Sequence, residues 1–146
     1  MQNLLNSIEK PFKVLRKMKQ YYFSKITDYS FDDAIQTITE TLKDEGFGIL
    51  MDIDVKATLK QKIDYDFKRY TILGACHPQL AKEALGIEDK IGIMMPCNVV
   101  VIEQPEGGVE VCVVNPMMFA EVVKNDRLEC FATEVRGKIR RALSRI

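Results

Sequence analysis

The sequence predicts an α+β fold, a two-layer sandwich in which one curved, mostly antiparallel sheet carries helices on one face. Runs of aromatic and β-branched residues alternate with helical patterns along the 146 residues, and this alternation indicates a mixed fold. The turn Pro105-Glu106-Gly107-Gly108 separates two apolar runs, which indicates a hairpin of antiparallel strands. Helical patterns at both ends of the strand region complete the α+β reading.

The first strand and helix are predicted from local signals. Tyr21–Tyr29 is rich in aromatic and β-branched residues and reads as a strand. Ser30 followed by Asp33 is a capping pattern that starts a helix, and Gly46 stands where that helix should end in the left-handed conformation. Phe47–Asp54 is then the second strand, with Ile49 and Met51 expected on the same face.

The rest of the chain continues this alternation. Val55–Ile63 reads as a short helix, and Pro78 suits the first position of another. Pro96 would separate or bend two successive strands, because proline cannot donate to a strand ladder. Asn115-Pro116 ends the last strand before the C-terminal helices. The remaining predicted strands are Phe67–Cys76, Ile91–Met95, Val99–Glu103 and Val109–Val114.

The composition is typical of a soluble globular domain, with 47% apolar and 29% charged residues. The 21 basic and 21 acidic residues cancel, so we expect no nucleic-acid partner. No signal-peptide pattern accompanies the cysteines, which predicts reduced thiols and a cytoplasmic location. The four cysteines are Cys76, Cys97, Cys112 and Cys130; the last two are predicted to be core positions.

The chain is predicted to consist of an amphipathic basic extension, residues 1–20, and a single α+β domain, residues 21–146. Apolar residues recur in the extension at roughly helical spacing, interrupted by Pro11. Such a segment could bind an anionic membrane surface, but packing on its own domain or on a partner subunit is favoured. In the extension five basic residues oppose one acidic residue: Lys10, Lys13, Arg16, Lys17 and Lys19 against Glu9.

The sheet is expected to be covered on both faces. Val99–Ile102 is apolar at consecutive positions, and consecutive residues of a strand point to opposite faces. We therefore expect a second subunit to cover part of the sheet, so that the protein is a homodimer.

Several phrases of the sequence are similar to those of one known family. They are Gly46-Phe47-Gly48, Tyr70-Thr71-Ile72-Leu73-Gly74-Ala75-Cys76-His77-Pro78, Met95-Pro96-Cys97-Asn98 and Asn115-Pro116. Over about residues 22–125 the chain resembles the uncharacterised prokaryotic family called domain of unknown function 302. The resemblance implies a compact α+β fold and dimers, and no established activity. Where this family often has asparagine after the first cysteine, this chain has His77, its only histidine.

The candidate ligand-binding residues are Cys76, His77, Cys97 and Asn98, because each cysteine ends a β-like run beside a proline. If the strands of Cys76 and Cys97 are parallel neighbours, the two thiols face a common crevice. The helix that starts at Pro78 would make the Cys76 thiol more reactive. Thiolate and imidazole suit copper or zinc, but the spacing matches no closed zinc signature, so the metal and any cofactor stay open.

Two functions fit these residues. The favoured one is a homodimeric module that binds a small ligand or a soft metal, with no catalytic residue. The alternative is a thiol-dependent redox or sulfur-transfer enzyme in which Cys76 attacks and Cys97 resolves. Against the enzyme, His77 is held extended before Pro78 and should point away from Cys76, which leaves no general base. Purely structural cysteines, and a structural protein docked through its basic extension, are further alternatives.

Overall fold

A computed structural model describes residues 20–146 as a five-stranded sheet packed against helices. The strand order is β1-β5-β4-β3-β2 and every neighbouring pair is antiparallel, so the predicted α+β fold is confirmed. The strands are β1 (Tyr22–Thr27), β2 (Gly48–Asp54), β3 (Tyr70–Cys76), β4 (Cys97–Glu103) and β5 (Val109–Val114). The helices are α1 (Phe31–Asp44), α2 (Val55–Ile63), α3 (Pro78–Ile87), α4 (Met117–Val123) and α5 (Asp126–Ser144), with a 3₁₀ helix (Asp89–Met94) before β4.

The sheet has an inner face that packs on α1 and α5 and an outer face that points away from them. Register and pleat put the odd-numbered residues of β1, β3, β4 and β5 on the inner face and the even-numbered residues on the outer face. Burying each valine or leucine contributes roughly 1.5–3 kcal/mol to folding. The fully buried inner residues include Leu73, Val99, Val101, Val111 and Val113.

Local sequence signals explain the helices that cover the inner face. The Ser30 side chain accepts a hydrogen bond from the Asp33 N–H at 3.1 Å and caps α1 as predicted. Gly46 follows α1 with φ +91°, the left-handed region that favours glycine. In α5 the buried residues Val135, Ile139 and Leu143, four positions apart, join the core on the inner face of the sheet.

The predicted strand Ile91–Met95 is wrong, because this segment lies in the 3₁₀ helix Asp89–Met94. Its start is capped by the Glu88 side chain, which accepts the Lys90 N–H at 3.1 Å. Ile91 and Met94, three positions apart, both contact a small apolar cluster between α3, α4 and α5, as the three-residue period of a 3₁₀ helix allows. Strand β4 therefore begins only at Cys97.

A β-bulge at Leu50 overturns the expected alternation of β2. Ile49 pairs with Ala75, whereas Met51 pairs with Gly74, the next residue back along β3. Because Ala75 and Gly74 face opposite sides, Ile49 points inward and Met51 outward. The sequence pattern predicts the Ile49 and Met51 side chains on one face, and this prediction is wrong.

The described chain starts at Gln20, so the predicted extension otherwise lies outside the described residues. Asn115 fastens this start to the domain: its side-chain amide donates to the Gln20 carbonyl at 2.9 Å, and its backbone N–H donates to the Tyr21 carbonyl at 2.7 Å. Among residues 20–146, no helix combines the length and the apolar character that crossing a bilayer requires.

Candidate functional site

The cysteine pair lies at one end of the sheet, but not in the arrangement expected from the sequence. Strands β3 and β4 are antiparallel, so the expected parallel arrangement is wrong. The end of β3 meets the start of β4 directly, with Ala75 opposite Cys97 and Gly74 opposite Asn98. Cys76 and Cys97 are therefore neighbours across two strands.

The pleat of the sheet points the two cysteines in different directions. Cys97 shares the inner face with its partner Ala75 and packs against the core, whereas Cys76 follows Ala75 and so points to the outer face. Burial raises the pKa of the Cys97 thiol to about 12, with a smaller contribution from nearby Cys76. Cys97 is thus protonated at neutral pH, a poor state for metal binding or disulfide exchange.

His77 is built into the fold as a helix cap. Its Nδ1 accepts a hydrogen bond from the Leu80 N–H at 3.4 Å, at the start of α3. The ring lies edge-on to Phe47, with centroids 5.5 Å apart. The backbone of Gly46 lies against it so closely that a Cβ there would be 2.6 Å from the imidazole Nε2. Packing and capping account for this histidine without a ligand.

Cys76, His77 and Cys97 border a small apolar cavity of about 40 Å³. That volume is far below the roughly 300–1,000 Å³ that is usual for small-ligand sites. Within residues 20–146, no group of three or more His, Cys, Asp or Glu residues is placed to hold a metal ion. The other bordering residues are apolar and include Phe47, Leu80, Ile91, Phe119 and Phe131.

The fourth predicted residue, Asn98, lines a different and larger site, which we call the outer groove. It has a volume of about 390 Å³, within the range of roughly 300–1,000 Å³ that is usual for small-ligand sites. No helix of residues 20–146 contributes to its lining, which consists of Tyr21, Tyr22, Tyr70, Asn98, Val100, Ile102, Glu110, Cys112, Val113 and Val114.

The floor of the outer groove is apolar and its polar groups converge on it. Val100 and Ile102 are half-buried and Cys112 is buried. Burial raises the pKa of the Cys112 thiol to about 12, and the Glu110 carboxylate, to which the thiol is hydrogen-bonded, adds to the shift. Burial also raises the pKa of the Tyr70 phenol. Both groups therefore stay neutral at physiological pH.

Of the residues that line this groove, the sequence-based prediction included only Asn98. The sequence nevertheless contains a pattern that indicates the groove floor. On the outer face of two adjacent strands, a polar residue is followed by two apolar ones at alternate positions: Asn98, Val100 and Ile102 in β4, and Glu110, Cys112 and Val114 in β5. Cys112 is buried as predicted, but on the outer face. Cys130, predicted as a core position, is exposed on α5, because it lies off the buried stripe of that helix.

A wider cleft of about 610 Å³ lies at the opposite end of the sheet, beside the β4–β5 turn. Two of its charged lining residues, Arg69 and Glu103, already have partners. Arg69 donates to the Asp32 carboxylate at 2.9 Å and stacks 4.3 Å from the centre of the Phe31 ring, while the Arg69 N–H donates to the Glu103 carboxylate at 3.4 Å. We favour the outer groove because it combines an apolar floor with a few polar groups, the usual form of a ligand site.

Comparison with known proteins agrees with this fold. The crystal structure of an uncharacterized conserved protein DUF302 from Bacillus stearothermophilus superimposes with a TM-score of 0.81 at 26% sequence identity, covering 86% of this chain and 98% of that one. No curated protein matches the chain. Residues 23–146 match the family described as "Domain of unknown function DUF302". The chain therefore belongs to the DUF302 family.

Proposed function

We propose that this protein is a homodimeric binding module that holds a small organic ligand in the outer groove and acts in the cytoplasm, where its thiols stay reduced. The groove itself carries the proposal: it offers about 390 Å³ over an apolar floor, and a few polar groups from Asn98, Glu110 and Tyr70 surround it. A concave apolar site with a few convergent polar groups is the usual form of a ligand pocket.

The proposed dimer contact is an edge patch formed by Leu50, Met51 and Ile53 of β2. All three are large apolar residues that remain exposed, and β2 is an edge strand of the sheet. Contiguous exposed apolar surface of this kind is a common sign of a protein contact. This contact differs from the one that the sequence pattern suggested, since Val100 and Ile102 form the floor of the outer groove. A second copy on the edge patch would leave that groove accessible.

The alternative thiol enzyme receives less support. A resolving thiol must ionise and reach the attacking sulfur. The raised pKa of Cys97 opposes the first requirement, and the opposite directions of Cys76 and Cys97 oppose the second. The small cavity beside them gives a substrate no space.

Native mass spectrometry of the freshly purified full chain tests the ligand proposal. We expect an adduct that disappears on denaturation and is lost in Val100→Arg, which fills the groove floor. Val122→Arg is the matched control, since Val122 is an exposed residue of α4 outside the groove.

Because Val100→Arg alters a strand, Asn98→Ala provides a second variant at an exposed position. It should weaken retention of the adduct without changing thermal unfolding. Wild-type protein that carries no adduct, or an adduct that Val100→Arg keeps in full, contradicts the proposal.

A further inference from the structure

The outer groove carries a single formal charge. Its ten lining residues include one acidic residue, Glu110, and no lysine, arginine or histidine. Glu110 accepts a hydrogen bond from the Gln104 side-chain amide, a neutral donor, at 3.0 Å. Within residues 20–146, no lysine or arginine forms an ion pair with Glu110. Among residues 20–146, the Glu110 carboxylate therefore has a hydrogen-bond partner but no cationic one.

Tyrosine rings line other parts of the same groove. Tyr21, Tyr22 and Tyr70 all line the groove. The rings of Tyr21 and Tyr22 meet edge to face, with centroids 4.8 Å apart and an angle of 67° between them, so they present differently oriented surfaces. Tyr21 and Cys112 both influence the pKa of Tyr70, which places these three groups in one neighbourhood. The faces of tyrosine rings carry negative potential and attract cations.

Resting on the proposed ligand-binding function, we infer that the ligand of the outer groove is an organic ammonium compound. Tyrosine faces and a carboxylate are the groups that recognise alkylammonium ions, as in aromatic cages for quaternary ammonium. An anionic ligand would meet Glu110, and none of the lining residues among 20–146 offers a compensating cation. A neutral ligand of the same shape would lack the electrostatic attraction to Glu110, and so should bind more weakly.

Three probes of nearly identical shape separate charge from shape. Choline carries a trimethylammonium group; 3,3-dimethyl-1-butanol replaces its nitrogen by carbon and is neutral; 3,3-dimethylbutanoate is an anion. We would titrate each into the full-length, ¹⁵N-labelled protein and follow the amides of Asn98–Ile102 and Glu110–Val114. Choline should bind at least about tenfold more tightly than the neutral isostere, the anion should not bind, and rising salt should weaken choline binding.

Variants assign this preference to the groove. Glu110→Gln should abolish most of the choline preference, whereas Glu106→Gln, at the exposed β4–β5 turn, should retain it while removing the same charge. Tyr21→Leu, at an exposed position, should also reduce the preference without affecting folding, which thermal unfolding would verify.

The outcomes distinguish the two proposals. If the neutral isostere shifts the groove amides as strongly as choline, or if only the anion does, the ammonium inference is overturned while the binding groove stands. If choline binds elsewhere, or if Glu110→Gln leaves its affinity unchanged, the inference is equally overturned. If none of the probes shifts the groove amides and the native protein carries no adduct, both proposals fail.

Discussion

At the residue scale, two glycines near the cysteines are required by the atoms that lie against them. Gly46 has φ +91° and faces the His77 ring. Gly74 lies on the outer face beneath the Pro96 ring and Met51, and a Cβ there would be 2.7 Å from Pro96 Cγ and 2.9 Å from Met51 Cε. These phrases of the family sequence therefore have a packing explanation.

Gly74→Ala should destabilise the fold by about 1–3 kcal/mol, because an added methyl group overfills this contact. Gly86→Ala is the matched control: it lies near the end of α3 with no neighbouring atom within 4 Å of the added Cβ. There alanine should increase stability by up to roughly 0.5–1 kcal/mol. Urea unfolding of both variants checks this. Equal effects of the two substitutions would mean that the outer-face packing at Gly74 is not as described.

The four thiols should react with a maleimide in an order set by burial. Cys130 is exposed and should be modified first, and half-buried Cys76 should follow. Cys97 and Cys112, whose pKa values are raised to about 12, should react only on unfolding. Peptide mapping after timed native-state labelling gives the order. Rapid modification of Cys97 in the folded protein would instead revive the thiol-enzyme alternative.

At the scale of elements, the C-terminal end of α1 is clamped to the C-terminal end of α5. Arg141 donates to the Glu45 carboxylate at 3.1 Å, and Arg145 donates to the Thr41 carbonyl at 2.9 Å. The hydrogen bond from Arg141 lowers the pKa of Glu45, aided by the charges of Arg141 and Arg145. The basic end of α5 therefore joins two helices.

Glu45→Gln should reduce stability at pH 7 by at most about 1 kcal/mol, since Arg141 is largely exposed and solvent screens the pair. The pKa of Glu45 is lower in the folded than in the unfolded chain. Its contribution is therefore present above the unfolded pKa and lost as pH falls through the folded value. Denaturation between pH 7 and pH 3 should show a smaller acid-induced loss in Glu45→Gln than in wild type. Identical pH profiles would contradict the clamp.

What could be predicted from the sequence was local. The Ser30 cap, the left-handed Gly46 and the Gly107-Gly108 turn follow from single residue types and are confirmed. The bulge at Leu50 and the antiparallel pairing of β3 with β4 depend on contacts between distant segments, which no local pattern encodes. The predicted site residues fall into two separate places for the same reason. Only the pairing of β3 with β4 shows that Cys97 faces inward and Asn98 outward.

At the scale of the whole molecule, the two faces of one sheet have separate roles. The inner face joins the helices in the core. The outer face carries the groove and, at β2, the edge patch, so folding and the proposed functions depend on different side chains of the same strands. This separation allows outer-face residues to be changed without removing core contacts.

The proposed dimer can be tested with lysine substitutions at the two edges of the outer face. Ile53→Lys, in the edge patch, should convert a dimer to a monomer, because a buried ammonium without a partner is costly. Ile26→Lys, on the opposite edge strand and also exposed, should leave the dimer intact. Light scattering should return twice the formula mass for wild type and Ile26→Lys. A monomeric wild-type protein at micromolar concentration would remove the dimer proposal.

We propose that the outer groove, and not the cysteine cavity, binds the ligand. The most direct test compares adduct retention, by native mass spectrometry, in Val100→Arg and in the double variant Cys76→Ala/Cys97→Ala. Our account predicts that the cysteine variant keeps the wild-type adduct and that Val100→Arg, with its fold verified by circular dichroism, loses it. Loss of the adduct in the cysteine variant together with its retention in Val100→Arg would contradict the account and return the site to the cysteines.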